Sequence, residues 1–198
     1  MQSIKSFIKE VLSVAIFSLI IVLPIRIFIA QPFVVSGESM DKTFANGNYL
    51  VVDEISYRFE NPTRGDIVIF QVPKEGLAVS NLNLNKTIYF IKRVIGLPGE
   101  TVEIKGDEVK IYNEENPEGF VLKEPYAFVD KLSPSYKDIN LSKKLGADEY
   151  FVMGDNRHNS SDSRFWGPIK KSDIKGRAWV RLFPLSQISV FPGENNNY

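Results

Sequence analysis

The chain has 198 residues, 24 Lys plus Arg against 24 Asp plus Glu, one histidine and no cysteine. Balanced charge excludes a globally basic nucleic-acid binder and an acidic tail, and zero cysteines exclude disulfides, thiol nucleophiles and thiolate metal sites. A single histidine leaves zinc short of its usual ligands, so no metal is expected.

The first element is apolar. Val11–Ile25 carries no charged residue, and the window Val11–Ala30 makes about 30 Å of helix, the hydrocarbon thickness of a bilayer. Arg26 lies near its far end and can snorkel, while Pro24 is tolerable but can kink the helix. A cleaved signal peptide is disfavoured, because cleavage after Ala30 would put Phe28 where a small residue is needed. A buried core helix is disfavoured by the missing polar face. The expectation is one transmembrane helix at 11–30. Lys5 and Lys9 flank its first end and keep residues 1–10 cytoplasmic, so residues 31–190 are extracytoplasmic.

Beyond the anchor the pattern is β. Asn48–Ile55, Gly65–Val72, Thr87–Gly96 and Thr101–Tyr112 are rich in β-branched and aromatic residues and are bounded by turn dipeptides. The last of them reads as a hairpin with Gly106-Asp107 at its tip. Later strands are Glu149–Asp155 and Gly176–Pro184; helix signals are short, the best near Lys170–Ile174. Lys74–Lys86 and Asn113–Ala147 are polar excursions, read as solvated loops or a small β appendage, and residues 191–198 as a frayed tail.

Two stretches carry candidate chemistry. Ser36-Gly37-Glu38-Ser39-Met40 presents Ser39 in a tight glycine turn, and a serine hydroxyl needs a base beside it. In Tyr89–Ile95, strand alternation puts Tyr89, Ile91, Arg93 and Ile95 on one face and Phe90, Lys92 and Val94 on the other. Lys92 thus projects between two large apolar neighbours, where burial would lower its pKa and make it a competent base. The alternative is a solvated lysine with its stem along the sheet. A second cluster, Asp155 to Arg164, is either a surface loop or a hydrogen-bonded scaffold. It includes Asp155, Arg157, His158, Ser160, Asp162 and Arg164, and Asp162 could pair with Arg164 if the chain is extended there.

Four blocks in order then match a known pattern: the Ser39 block after the anchor, Gly65–Phe70, Ile91–Ile104, and Gly154–Ile169 with the sequence GDNRHNSSDSRFWGPI. With these the chain resembles the type I signal peptidases, membrane-bound serine proteases that remove signal peptides from exported preproteins. The resemblance implies a mostly β fold, an antiparallel β-sheet catalytic domain with a small β appendage, here placed at 113–147. It implies Ser39 as nucleophile, Lys92 as general base and Ser160 as the group orienting the Lys92 amine. Asp162 and Arg164 would form a supporting ion pair, and Asp155 and Arg157 would brace the same loop. Phe33, Val35, Ser36, Met40 and Ile91 would bind substrate, lining shallow pockets for small side chains or pairing with its backbone. No cofactor is implied. The partners implied are signal peptides and membrane lipid, without nucleic acid, for a monomer in the bacterial plasma membrane.

The chain departs from that family in two places. Gly37 stands where some members carry a serine or threonine whose hydroxyl helps bind the oxyanion, and Lys42 stands where proline is usual. Two rival readings remain. His158 could serve a Ser-His-Asp triad with Asp155 or Asp162, or the chain could be a catalytically dead, membrane-tethered module that binds exported proteins.

Overall fold

A computed structural model of the chain describes residues 2–24, 30–83, 85–128 and 139–193. It begins with α1 (Gln2–Pro24), which ends at a proline. The strands are β1 (Ala30–Val34), β2 (Tyr49–Asp53), β3 (Ile67–Gln71), β4 (Tyr89–Gly96), β5 (Thr101–Lys105), β6 (Glu108–Tyr112), β7 (Phe120–Val121), β8 (Asn140–Lys144), β9 (Glu149–Met153), β10 (Ile169–Lys170), β11 (Ile174–Phe183) and β12 (Ser189–Val190). Two short helices, α2 (Lys74–Val79) and α3 (Ser163–Trp166), lie between them.

The protein is mostly β, in two sheets whose strand pairs are all antiparallel. The larger runs β1-β2-β11-β3-β4-β9-β10, with β12 added to β11; the smaller runs β7-β6-β5-β8. β3 is the spine of the larger sheet. Its run Ile67-Val68-Ile69-Phe70 is buried on both faces: Ile67 and Ile69 pack with Val35, Met40, Phe44 and Leu50, while Val68 and Phe70 pack with Val94, Val152 and Trp166. A strand covered on both faces needs a continuous apolar run rather than alternation. β5 and β6 do alternate: Val102, Ile104, Val109 and Ile111 point inward against Ile95, Phe151 and Met153, which ties the smaller sheet to the end of the larger one.

The smaller sheet is an excursion between β4 and β9, which pair directly with each other at Arg93–Met153. It starts at Thr101, earlier than the expected 113, because the Thr101–Tyr112 hairpin supplies its two central strands. Nothing in the strand pattern distinguishes those two strands from catalytic-sheet strands; residues 129–138 of the expected appendage lie outside the described residues. The polar stretch after Pro73 forms α2, whose Leu77 is buried, and the expected helix near Lys170–Ile174 is a single 3₁₀ turn at Lys171–Asp173. The tail is anchored further than expected: Pro192 is buried, and Phe191 N–H donates to Trp179 O at 2.7 Å. Residues 194–198 of the expected frayed tail are outside the description.

Among the described residues no helix is long and apolar enough to cross a membrane. The expected 11–30 window runs past Pro24 into residues 25–29, which lie outside the description. What α1 does show is an apolar surface without a protein partner: Leu12, Val14, Phe17, Leu19 and Ile20 are all more than half exposed.

Candidate active site

β4 carries Lys92 opposite Val68 of β3 and Arg93 opposite Ile67. The Lys92 side chain is almost wholly buried, only 3% exposed, as the Phe90–Val94 alternation implied. Its Nζ lies 2.6 Å from Ser39 Oγ and donates to Ile91 O at 2.9 Å, with the Phe90 ring centroid 5.0 Å away. Burial pushes the amine down to about 8; Asp162 and Asp155 oppose that, and Arg164 adds to it. When the amine is neutral, the Ser39 hydroxyl can donate across the same 2.6 Å contact, the reach a general base needs.

Ser39 sits in a turn closed by Asp41 N–H to Glu38 O and Phe44 N–H to Met40 O. Gly37 opens the turn at φ +102°, a conformation in which a serine or threonine would be strained. Lys42 has φ +75°, which the proline ring forbids, so this turn follows a different path from one carrying proline there. The loop after β9 grips the turn: Asn156 N–H donates to Ser39 O at 3.0 Å, and Asn159 Nδ2 to Glu38 Oε2 at 2.9 Å. Gly154 makes this approach possible, since a Cβ there would stand against Ser160 Oγ and 2.5 Å from Ser39 O. The Ser39 N–H has no hydrogen-bond partner among the described residues.

The supporting residues form three ion pairs. Asp162 and Arg164 make a two-point contact, Nε to Oδ1 and NH2 to Oδ2, both 2.8 Å. Burial pushes the Asp162 carboxyl up, but Arg164, the Gly154 N–H and the neighbouring Ser160 hydroxyl outweigh it, holding the group below the ordinary carboxylate range. Asp155 pairs with Arg93 and Arg157 with Glu124. Asp155 takes Nε and NH2 of the fully buried Arg93 at 2.8 and 2.7 Å, plus the Thr43 hydroxyl at 2.5 Å. Arg157 is clamped by Glu124 and donates through Nε to Gly154 O at 3.0 Å, and the Glu124 carboxylate keeps it protonated despite burial. The expected bond from Ser160 to Lys92 is not made. Ser160 Oγ is buried against Gly154 and Asp162, and the amine turns to Ile91 O instead.

A cleft of about 290 Å³ opens over the pair. Phe33, Val35 and Ser36 line it from the β1 side and Ile91 from β4, with Leu50 and Ile69 as its floor. Met40 is not in it; at 1% exposure its side chain is core beneath the turn. Tyr89 and Phe33 meet edge-to-face at 5.9 Å, from β4 and β1. The roles of Tyr89, Arg93, Thr43 and Glu124 escaped the sequence reading. Only Arg93 left a local signal: a second cation in an apolar strand, on the face opposite Lys92, has to be paired if the strand is buried. Among the described residues no group of His, Asp and Glu could hold a metal ion.

An open apolar cleft, a serine in a tight turn and a buried lysine touching it give the outline of a serine peptidase. The model of the family described as "Signal peptidase, peptidase S26" matches residues 8–183. Signal peptidase I of Leptolyngbya laminosa is 40% identical over 172 residues, 86% of this chain and 77% of that protein. Signal peptidase I P of Bacillus subtilis subsp. natto is 37% identical over 190 residues, 93% of each. A crystal structure of a signal peptidase I from Enterococcus faecalis aligns with TM-score 0.44 at 30% identity, covering 60% of this chain and 97% of that one. The chain belongs to the signal peptidase family, peptidase S26.

Proposed function

We propose that the chain is a membrane-anchored serine endopeptidase that removes signal peptides from exported preproteins, with Ser39 as nucleophile and Lys92 as general base. The observation that carries this is the 2.6 Å contact between Lys92 Nζ and Ser39 Oγ, with the amine buried and lowered to about 8. Neutral Lys92 takes the Ser39 proton as the hydroxyl attacks the scissile carbonyl. The resulting oxyanion is met by the free Ser39 N–H; Gly37 contributes no hydroxyl. Protonated Lys92 then delivers its proton to the leaving amine, which departs with the mature protein and leaves the signal peptide as an acyl-enzyme. A water deprotonated by Lys92 hydrolyses that ester.

The substrate binds extended. Tyr89–Lys92 pairs with β3 on one side, while β9 joins the other side only from Arg93 onward, and β1 is the outer strand of its sheet. A peptide laid in the cleft can add to these free edges. The shallow apolar floor of Leu50 and Ile69 suits small side chains. The apolar stretch that begins at Val11 anchors the chain in the bacterial plasma membrane, with Lys5 and Lys9 on the cytoplasmic side. Ser39 follows Ala30 by nine residues, at most ~32 Å of chain, which keeps it near the membrane where the scissile bond emerges.

The test is cleavage of a labelled preprotein by purified protein in detergent. Ser39→Ala and Lys92→Ala lose cleavage, while His158→Ala keeps it. Loss in His158→Ala with retention in Lys92→Ala would establish the triad instead, and an inert parent would leave a binding module.

A further inference from the structure

The end of the described chain reaches the back of this site. Phe191 N–H bonds Trp179 O, the Phe191 ring lies 4.7 Å from the Arg177 guanidinium, and Pro192 is buried. These contacts deliver the Gly193 carbonyl to Arg93, which donates to it through NH1 at 2.6 Å. The same NH1 donates to Gly65 O at 2.9 Å, and the Tyr126 ring centroid lies 3.9 Å from the guanidinium carbon. Gly193 fits only as glycine: its φ is +82°, and a Cβ would collide with Thr43 Cγ2 and stand 3.0 Å from Ile67 Cδ1.

Arg93 is linked to both halves of the reacting pair. It follows Lys92 in β4, and through Asp155 it reaches the Thr43 hydroxyl at the back of the Ser39 turn. The next residue, Asn156, holds Ser39 O. Arg181 on β11 also grips that turn, donating to Thr43 O at 2.8 Å. A fully buried guanidinium must have its donors satisfied, and Gly193 supplies one acceptor from a segment with no other role in the site.

We infer that Phe191–Gly193 is a positioning element for the reaction: its carbonyl, seated on Arg93, fixes the spacing of the Lys92 strand and the Ser39 turn. This rests on Ser39 and Lys92 being the reacting pair. Without the tail, water enters around Arg93 and the packing about the amine relaxes. The charges acting on Lys92 are Asp162 and Arg164 at the start of α3 and Asp155 after β9; Arg93 follows it in β4 and is paired with Asp155. With these charges retained, weaker burial raises the amine's pKa. The cleft walls at Phe33–Ser36 and Tyr89–Ile91 are untouched, so the loss falls on kcat rather than KM.

The test compares the full chain with a variant ending at Val190 and with Gly193→Val, using preprotein cleavage across pH and NMR titration of the Lys92 Cε resonance. For the truncated chain kcat falls about tenfold or more, KM stays within about twofold, and the acid limb and the Lys92 titration both move up by about half a pH unit or more. A folded truncation with the parental kcat and titration overturns the inference. If the truncation does not fold, Gly193→Val decides by the same readouts. Failure of that variant to fold as well overturns the inference, making the tail a general brace of the domain. If instead the pair itself is misassigned, Ser39→Ala and Lys92→Ala retain cleavage in the full chain, which separates the two failures.

Discussion

A lysine whose pKa is lowered by burial has a thermodynamic signature apart from catalysis. The Lys92 amine titrates at about 8 in the folded chain against an ordinary 10.5. Protonating it therefore costs the native state about 3 kcal/mol relative to the unfolded chain. The sign follows from the lowered folded value. The penalty is fully present below about pH 8, shrinks as pH rises toward 10.5, and is absent above it. Lys92→Met keeps most of the side-chain volume and removes the charge, while its lost contacts with Ser39 Oγ and Ile91 O add a nearly constant offset. In urea unfolding of the detergent-solubilised protein, followed by fluorescence of the buried Trp166, the variant gains stability over the parent at pH 7. That advantage narrows by about 2–3 kcal/mol by pH 10. An advantage independent of pH, or one growing with pH, would refute the buried-amine reasoning.

Other outcomes follow from the same contacts. The rate of preprotein cleavage falls about tenfold per pH unit below a midpoint near 8, because the protonated amine cannot accept the Ser39 proton; a pH–rate profile checks this. Arg93→Met leaves Asp155 as a buried charge without its guanidinium and lowers stability by about 3–5 kcal/mol, whereas the paired change Arg93→Met with Asp155→Leu recovers much of that loss in urea unfolding. Lys42→Pro, which installs the residue usual in the family, destabilises by more than about 1 kcal/mol because the position has φ +75°; a stabilised variant would contradict that backbone path.

The Ser39 turn and the burial of Lys92 were legible because their evidence is local, whereas the pairing of the two, fifty-three positions apart, was implied only by the resemblance. Period-two alternation placed Lys92 between Phe90 and Val94, and the glycine turn marked Ser39. The β class was legible for the same reason, since β-branched runs between turn dipeptides declare strands one at a time. What stayed hidden is long-range. Arg93 finds Asp155 sixty-two positions away, and Glu124, within a stretch that reads as a polar excursion, holds Arg157. Met40 misled because a residue beside the nucleophile can face either the cleft or the core, and only packing against Val35 and Phe44 decides. α2 is one short turn-and-a-half containing a glycine, too brief for its period to show.

The placement of the smaller sheet bears on how this protein can be rebuilt. Its return path is not expendable, since Glu124 clamps Arg157 and Phe128 exchanges backbone hydrogen bonds with Asp155 and Arg157. The β5–β6 tip at Gly106-Asp107 lies on the same side as those links, lining a small cavity together with Arg157 and Arg164. A tag or tether grafted at that tip would crowd Arg157 and Arg164, and a deletion of the whole excursion would strip Arg157 of its carboxylate partner.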